Sequence, residues 1–133
     1  MRLRLARVPL VIAAAACAAA LAAPVQAAPA DDDDREARVT GACSRTSEIR
    51  LRVRADDRTL RVELRIDTRR RGAPWSVVLL HERRIAFRGV VRTTRSSGSA
   101  RLRRTVRDLF GRDTLVVRAS GPGRETCRVR ATL

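Results

Sequence analysis

The sequence predicts an all-β protein: an antiparallel two-sheet sandwich of about 7–8 short strands, immunoglobulin-like in plan, with a small closed β-barrel as the alternative arrangement. Three observations carry that prediction. From Glu48 to Asp67 apolar and charged residues alternate strictly, as half-buried antiparallel strands require. Further short runs of the same kind recur to the last residue, separated by Gly, Pro and Ser turn signals. No stretch after the N-terminal region holds a helical period.

Taken in order, the first residues read as an export signal. Arg2, Arg4 and Arg7 precede an apolar run from Val8 to Ala23, and Val25-Gln26-Ala27 fits a small-x-small cleavage site. Residues 1–27 are therefore expected to be removed, and the protein is expected to be secreted or to reside in the cell envelope. Cys17 lies inside the apolar run, and Ala13 to Ala16 before it make a poor lipid box. Residues 28–36 read as a disordered acidic linker, because Asp31 to Asp34 bury nothing and repel one another. No membrane span is expected beyond the signal.

Residues 37–133 are the predicted β domain. Ala37 to Cys43 opens it, and Ser44 to Ser47 is a polar turn. The hairpin follows: Ile49, Leu51, Val53 and Ala55 face inward, with Arg50, Arg52 and Arg54 outward. After a reversal at Asp56-Asp57, Leu60, Val62, Leu64 and Ile66 face inward, with Arg61, Glu63, Arg65 and Asp67 outward. Arg69, Arg70 and Arg71 then lead into Gly72 and Pro74, a mobile basic loop. Trp75 to His81 is apolar on both faces, which predicts a central strand. Ile85, Phe87, Gly89 and Val91 share the next inward face.

Ser96-Ser97-Gly98 turns the chain into a strand through Ala100 and Leu102, where Arg104 occupies an inward position and signals a bulge or a strand end. Leu109 to Asp113 is a connection. Leu115, Val117 and Ala119 face inward on the next strand, Ser120-Gly121-Pro122-Gly123 is a turn, and Cys127, Val129, Ala131 and Leu133 alternate with Arg128 and Arg130 on the last. Cys43 and Cys127, an isolated pair in an exported chain, are expected to form a disulfide tying the first strand to the last. In the chain-entropy account such a long loop contributes roughly 4–5 kcal/mol.

The charge balance bounds function. The chain carries 29 basic residues, all arginine, and a net charge of +15. A field of that sign attracts polyanions. The expected anion-binding residues are Arg50, Arg52 and Arg54, joined by Arg61, Arg65, Arg128 or Arg130 where their strands adjoin, with Arg69, Arg70 and Arg71 as a second patch. The expected partners are an anionic envelope polymer, extracellular DNA or an acidic protein. The alternative is a protein-interaction or protease-inhibitor-like module that uses the Arg69 to Pro74 loop. No catalytic residue, metal site, cofactor or small-molecule substrate is expected: His81 is the sole histidine, read as a solvent-facing turn residue, and no nucleophile elbow or phosphate loop is present. With only Trp75, Phe87 and Phe110 as aromatics, neither sugar stacking nor base stacking is expected.

Gly41-Ala42-Cys43-Ser44, Gly72-x-x-Trp75, Thr93-Thr94-Arg95-Ser96-Ser97-Gly98-Ser99 and Gly123-Arg124-Glu125-Thr126-Cys127, behind the signal peptide, resemble a group of small exported actinobacterial proteins of unknown function. That resemblance implies secretion and a disulfide-tied β domain, and brings no activity with it.

Overall fold

A computed structural model describes residues 35–133; the expected export signal and the Asp31 to Asp34 run lie outside the described residues. Eight strands occupy them: β1 (Glu36–Cys43), β2 (Glu48–Asp56), β3 (Thr59–Asp67), β4 (Pro74–His81), β5 (Arg84–Arg92), β6 (Ser99–Arg107), β7 (Thr114–Ser120) and β8 (Thr126–Thr132). A 3-10 turn over Pro122–Arg124 precedes β8. All pairings are antiparallel and the strands form one sheet in the order β5-β4-β7-β8-β1-β2-β3-β6. The edge strands β5 and β6 come together without a hydrogen-bonded ladder, so the sheet is a nearly closed barrel. The all-β prediction holds, and of its two arrangements the barrel is the one adopted.

The sheet curls because β1 changes partner along its length. Glu36 to Gly41 pair with β2, from Glu36↔Arg54 to Gly41↔Ile49, and only Ala42↔Arg128 and Cys43↔Cys127 pair with β8. Gly41 sits at the changeover. A Cβ there would meet the Arg128 carbonyl and lie 2.5 Å from Val129 Cβ and 2.9 Å from Ile49 Cγ2, so only glycine lets β8 close on β1 and β2. The Cys43–Cys127 disulfide is present two residues beyond Gly41, at a Cα–Cα distance of 4.0 Å.

Inside the barrel the alternating residues meet as the period requires. Ile49, Leu51, Val53, Leu60, Val62, Leu64 and Ile66 of the hairpin pack with Trp75, Val77, Leu79, Leu115, Val117 and Val129 from the other half. Trp75 is fully buried, and its indole fills the space a Gly121 side chain would take, 2.6 Å from that Cβ position.

Several local expectations change. Arg35 and Glu36 belong to the fold and not to a linker, since the Arg35 carbonyl accepts the Ala55 N–H at 2.9 Å and β1 starts at Glu36. The β2–β3 reversal falls at Asp57-Arg58, one residue late, because Asp56 still pairs with Thr59. β4 is interior in the sheet, yet only one of its faces is sealed: Val78 and Leu80 point outward and are half-buried. The bulge lies in the β4–β5 pair, not in β6. Leu79 pairs with Phe87 but Leu80 pairs with Ile85, and this slip moves Ile85 from the inward face to the outside, 55% exposed. β6 runs through Arg104 in unbroken register from Ser99 to Arg107. There the Arg104 guanidinium lies 4.2 Å from the Phe87 ring centroid, across the gap between the two edge strands.

Candidate anion-binding faces

The outward positions of β1, β2, β3 and β6 form a lattice whose rows follow from register. Thr40, Arg50, Arg65 and Arg101 make one row; Arg38, Arg52, Glu63 and Arg103 the next; Glu36, Arg54, Arg61 and Thr105 the third. The predicted joining of Arg50, Arg52 and Arg54 with Arg61 and Arg65 is therefore met. Like charges stand directly opposite at Arg50↔Arg65, Arg65↔Arg101, Arg54↔Arg61 and Arg38↔Arg52, which is unfavourable in a sheet.

Carboxylates compensate much of this half. Arg52 donates to Glu36 through Nε at 2.9 Å and Nη2 at 3.2 Å, and Arg38 pairs with the same carboxylate. The two guanidiniums, Arg52 first, hold the Glu36 carboxyl down at about 2, and Glu36 in turn raises Arg52. Arg50 pairs with Glu48, Arg61 with Asp56, and Arg65 with Asp67 at 2.8 Å, which raises Arg65. Arg103 lies 3.6 Å from Glu63. Arg54 and Arg101 have no ion pair among the described residues. An open groove of about 310 Å³ runs between Arg52, Arg54, Arg61 and Glu63.

The other half is different. The outward positions of β4, β5, β7 and β8 include Arg88, Arg92, Arg118, Arg128 and Arg130 and no acid. Arg118 stands opposite Arg128, and Val116 opposite Arg130. A groove of about 380 Å³ lies here, with Leu80 and Val116 on its floor and Arg83, Arg118, Arg128 and Arg130 around it. Glu82 also lines it, with its carboxylate turned to the Thr114 backbone N–H. Arg128 and Arg130 do not join the Arg50 ladder, because β1 separates β8 from β2 and offers only Ala42 beside Arg128. The sequence reading missed Arg118, whose significance comes only from its register with Arg128.

The Arg69 to Pro74 loop is fastened from below by internal hydrogen bonds. Thr93 is buried beneath it: its Oγ1 donates to the Arg70 carbonyl at 2.8 Å and accepts the Ala73 N–H at 2.9 Å. Gly98 abuts the Thr68 carbonyl so closely that no side chain fits there. Arg69, Arg70 and Arg71 stay exposed on this held loop, with the Arg45 and Arg70 guanidiniums flanking Gly123. Beneath that end Glu125 is buried and accepts both the N–H and the hydroxyl of Ser47, each at 2.9 Å.

His81 is buried, contrary to its reading as a solvent-facing residue. It ends β4 on the inward phase and bonds Asp113 at 2.6 Å, Nε2 to Oδ1. His81, Glu82 and Asp113 each bring one potential ligand atom within 4.8 Å of the others, but each already holds an internal partner. Cys43, Glu125 and Cys127 also group, with both sulfurs committed to the disulfide.

No family model, curated protein or solved structure matches the chain.

Proposed function

We propose that the protein is an exported, non-enzymatic β-barrel that binds anionic polymers through its arginine-rich outer faces, Arg118, Arg128 and Arg130 being the principal site. The observation that carries this is the Arg118↔Arg128 register pair on a half-barrel whose strands present no outward acid. Unscreened guanidiniums held side by side repel one another, and a phosphate or sulfate between them relieves that repulsion while accepting bidentate bonds. Arg54 and Arg101, which lack acidic partners among the described residues, extend binding to the other half. Envelope polymers, extracellular DNA and acidic proteins share this chemistry, and contacts to it carry no sequence readout.

The test is affinity for heparin and duplex DNA over a salt series. Changing Arg118, Arg128 and Arg130 together to Ser should weaken binding strongly and lower the salt slope by about 2–3, one counterion per lost contact. The same change at Arg50, Arg52 and Arg54 should do less, because Glu48 and Glu36 already occupy two of those side chains. An unchanged slope in the first variant would remove this face as the site.

A further inference from the structure

We propose that the β6–β7 connection is a membrane-docking tip, in which Leu109 and Phe110 enter the headgroup layer of an anionic lipid bilayer and the surrounding arginines meet its phosphates. The chain has three aromatic residues. Trp75 fills the core, Phe87 lies under Arg104, and Phe110 stands 78% exposed beside Leu109, itself 50% exposed. An apolar pair so placed contributes nothing to the core.

The tip is held out. Phe110 sits at φ +57, in the left-handed region, with its N–H bonded to Asp108 Oδ1 at 2.9 Å. Arg35 clamps the loop from below, donating to Asp108 Oδ2 at 2.6 Å and to the Gly111 carbonyl at 3.0 Å. The Asp108 N–H bonds the Arg58 carbonyl at 2.9 Å, and Asp113 and Leu133 exchange backbone bonds at 3.2 and 3.0 Å. Both acids of the connection, Asp108 and Asp113, are buried on its protein side, so no carboxylate of the loop faces outward.

Exposed at the same barrel end are Arg58 beside Asp57 in the β2–β3 turn, Arg83 and Arg84 beside Glu82 at the β4–β5 turn, Arg107 at the close of β6, and Arg112 in the loop itself, so that arginines outnumber the exposed acids of these turns. A small convex apolar tip whose surround is basic in balance matches a planar anionic surface, where apolar insertion and electrostatic attraction add. Each arginine near such a surface strengthens partition about fivefold. Two side chains fall far short of the roughly 1,200 Å² that a specific protein interface buries, so a lipid surface is the better fit.

The experiment is flotation of the oxidised protein with phosphatidylglycerol-containing vesicles and with pure phosphatidylcholine vesicles, every form carrying the same N-terminus. The wild type should float with the anionic vesicles only. Leu109→Ser with Phe110→Ser alters no charge and should weaken partition roughly tenfold or more at an unchanged melting temperature. In Phe110→Trp the added indole should shift its emission to the blue on anionic vesicles, while the buried Trp75 supplies a constant background. The proposal is overturned if the wild type fails to float, if the double Ser variant floats equally well, or if the emission of the introduced indole stays that of a wet one. Tip-dependent self-association without vesicle binding would likewise overturn it and assign the tip to a second copy of the chain.

Discussion

Glu125 shows how a single residue acquires its role. In the sequence it is one acid in a basic turn; in the barrel it is buried, and both of its oxygens are occupied by Ser47. Ser47→Ala strips the hydroxyl from a buried carboxylate and should cost about 1–3 kcal/mol in denaturant unfolding. Glu36 and Asp108 contribute to the acid limb of stability. Glu36 is held at about 2 by Arg52 and Arg38. Burial pushes Asp108 up, but the Phe110 N–H, a hydrogen bond with Asp113 and the Arg35 guanidinium outweigh it and hold it below its ordinary value. Folded values below unfolded ones mean that the stabilisation is present in full above the ordinary carboxylate range and is lost as pH falls toward the folded values. Melting temperature should therefore decline below about pH 4.5, and Arg35→Ala should shallow that decline. An equal pH dependence in the variant would show that Arg35 does not set it.

Strand β1 ties the two halves of the barrel. Its ladder to β8 is only two residue pairs long, and the disulfide sits on the second of them. Reduction should therefore open the β1–β8 seam before the β2–β3 hairpin, visible as early hydrogen exchange at Ala42, Ser44 and Thr126. Its global cost should be roughly 2–5 kcal/mol. At the other seam β5 and β6 lack a ladder, and Arg104 over Phe87, with Phe87 lying over Gly89, covers the gap. Gly89→Ala would place a Cβ 2.6 Å from the Phe87 ring. It should displace ring and guanidinium together and destabilise by about 1–3 kcal/mol, whereas Val90→Ala on the exposed side should be near neutral.

Across the whole molecule the arginines divide unevenly: the β1–β2–β3–β6 half carries the ion pairs, and the β4–β5–β7–β8 half carries arginines without strand acids. Surface pairs each contribute little, about 0–1 kcal/mol, whereas repulsion among a field of like charges is long-range. Raising ionic strength from about 0.01 to 0.15 M should therefore raise the melting temperature, as the screening length contracts from about 30 to 8 Å. A fall on adding salt would mean that the pairs outweigh the repulsion.

Alternation alone determined the strands, their inward faces and the core residues of β2, β3, β7 and β8, because a period of two has only one way to hide its apolar set. The isolated cysteine pair likewise gave the disulfide. What alternation leaves open is any property that depends on which strand lies beside which. Sandwich or barrel was decided at Gly41, where a missing side chain lets β8 cross onto β1. The outward turn of Ile85 came from a bulge in its partner's register, and the burial of His81 came from Asp113, 32 residues away. The division of the arginines into a compensated and an uncompensated face was set the same way. Some guanidiniums pair two residues along their own strand, as Arg50 does with Glu48 and Arg65 with Asp67. Which arginines stand opposite one another, however, is fixed by neighbouring strands, and pairing between strands distant in sequence leaves no periodic trace in either one.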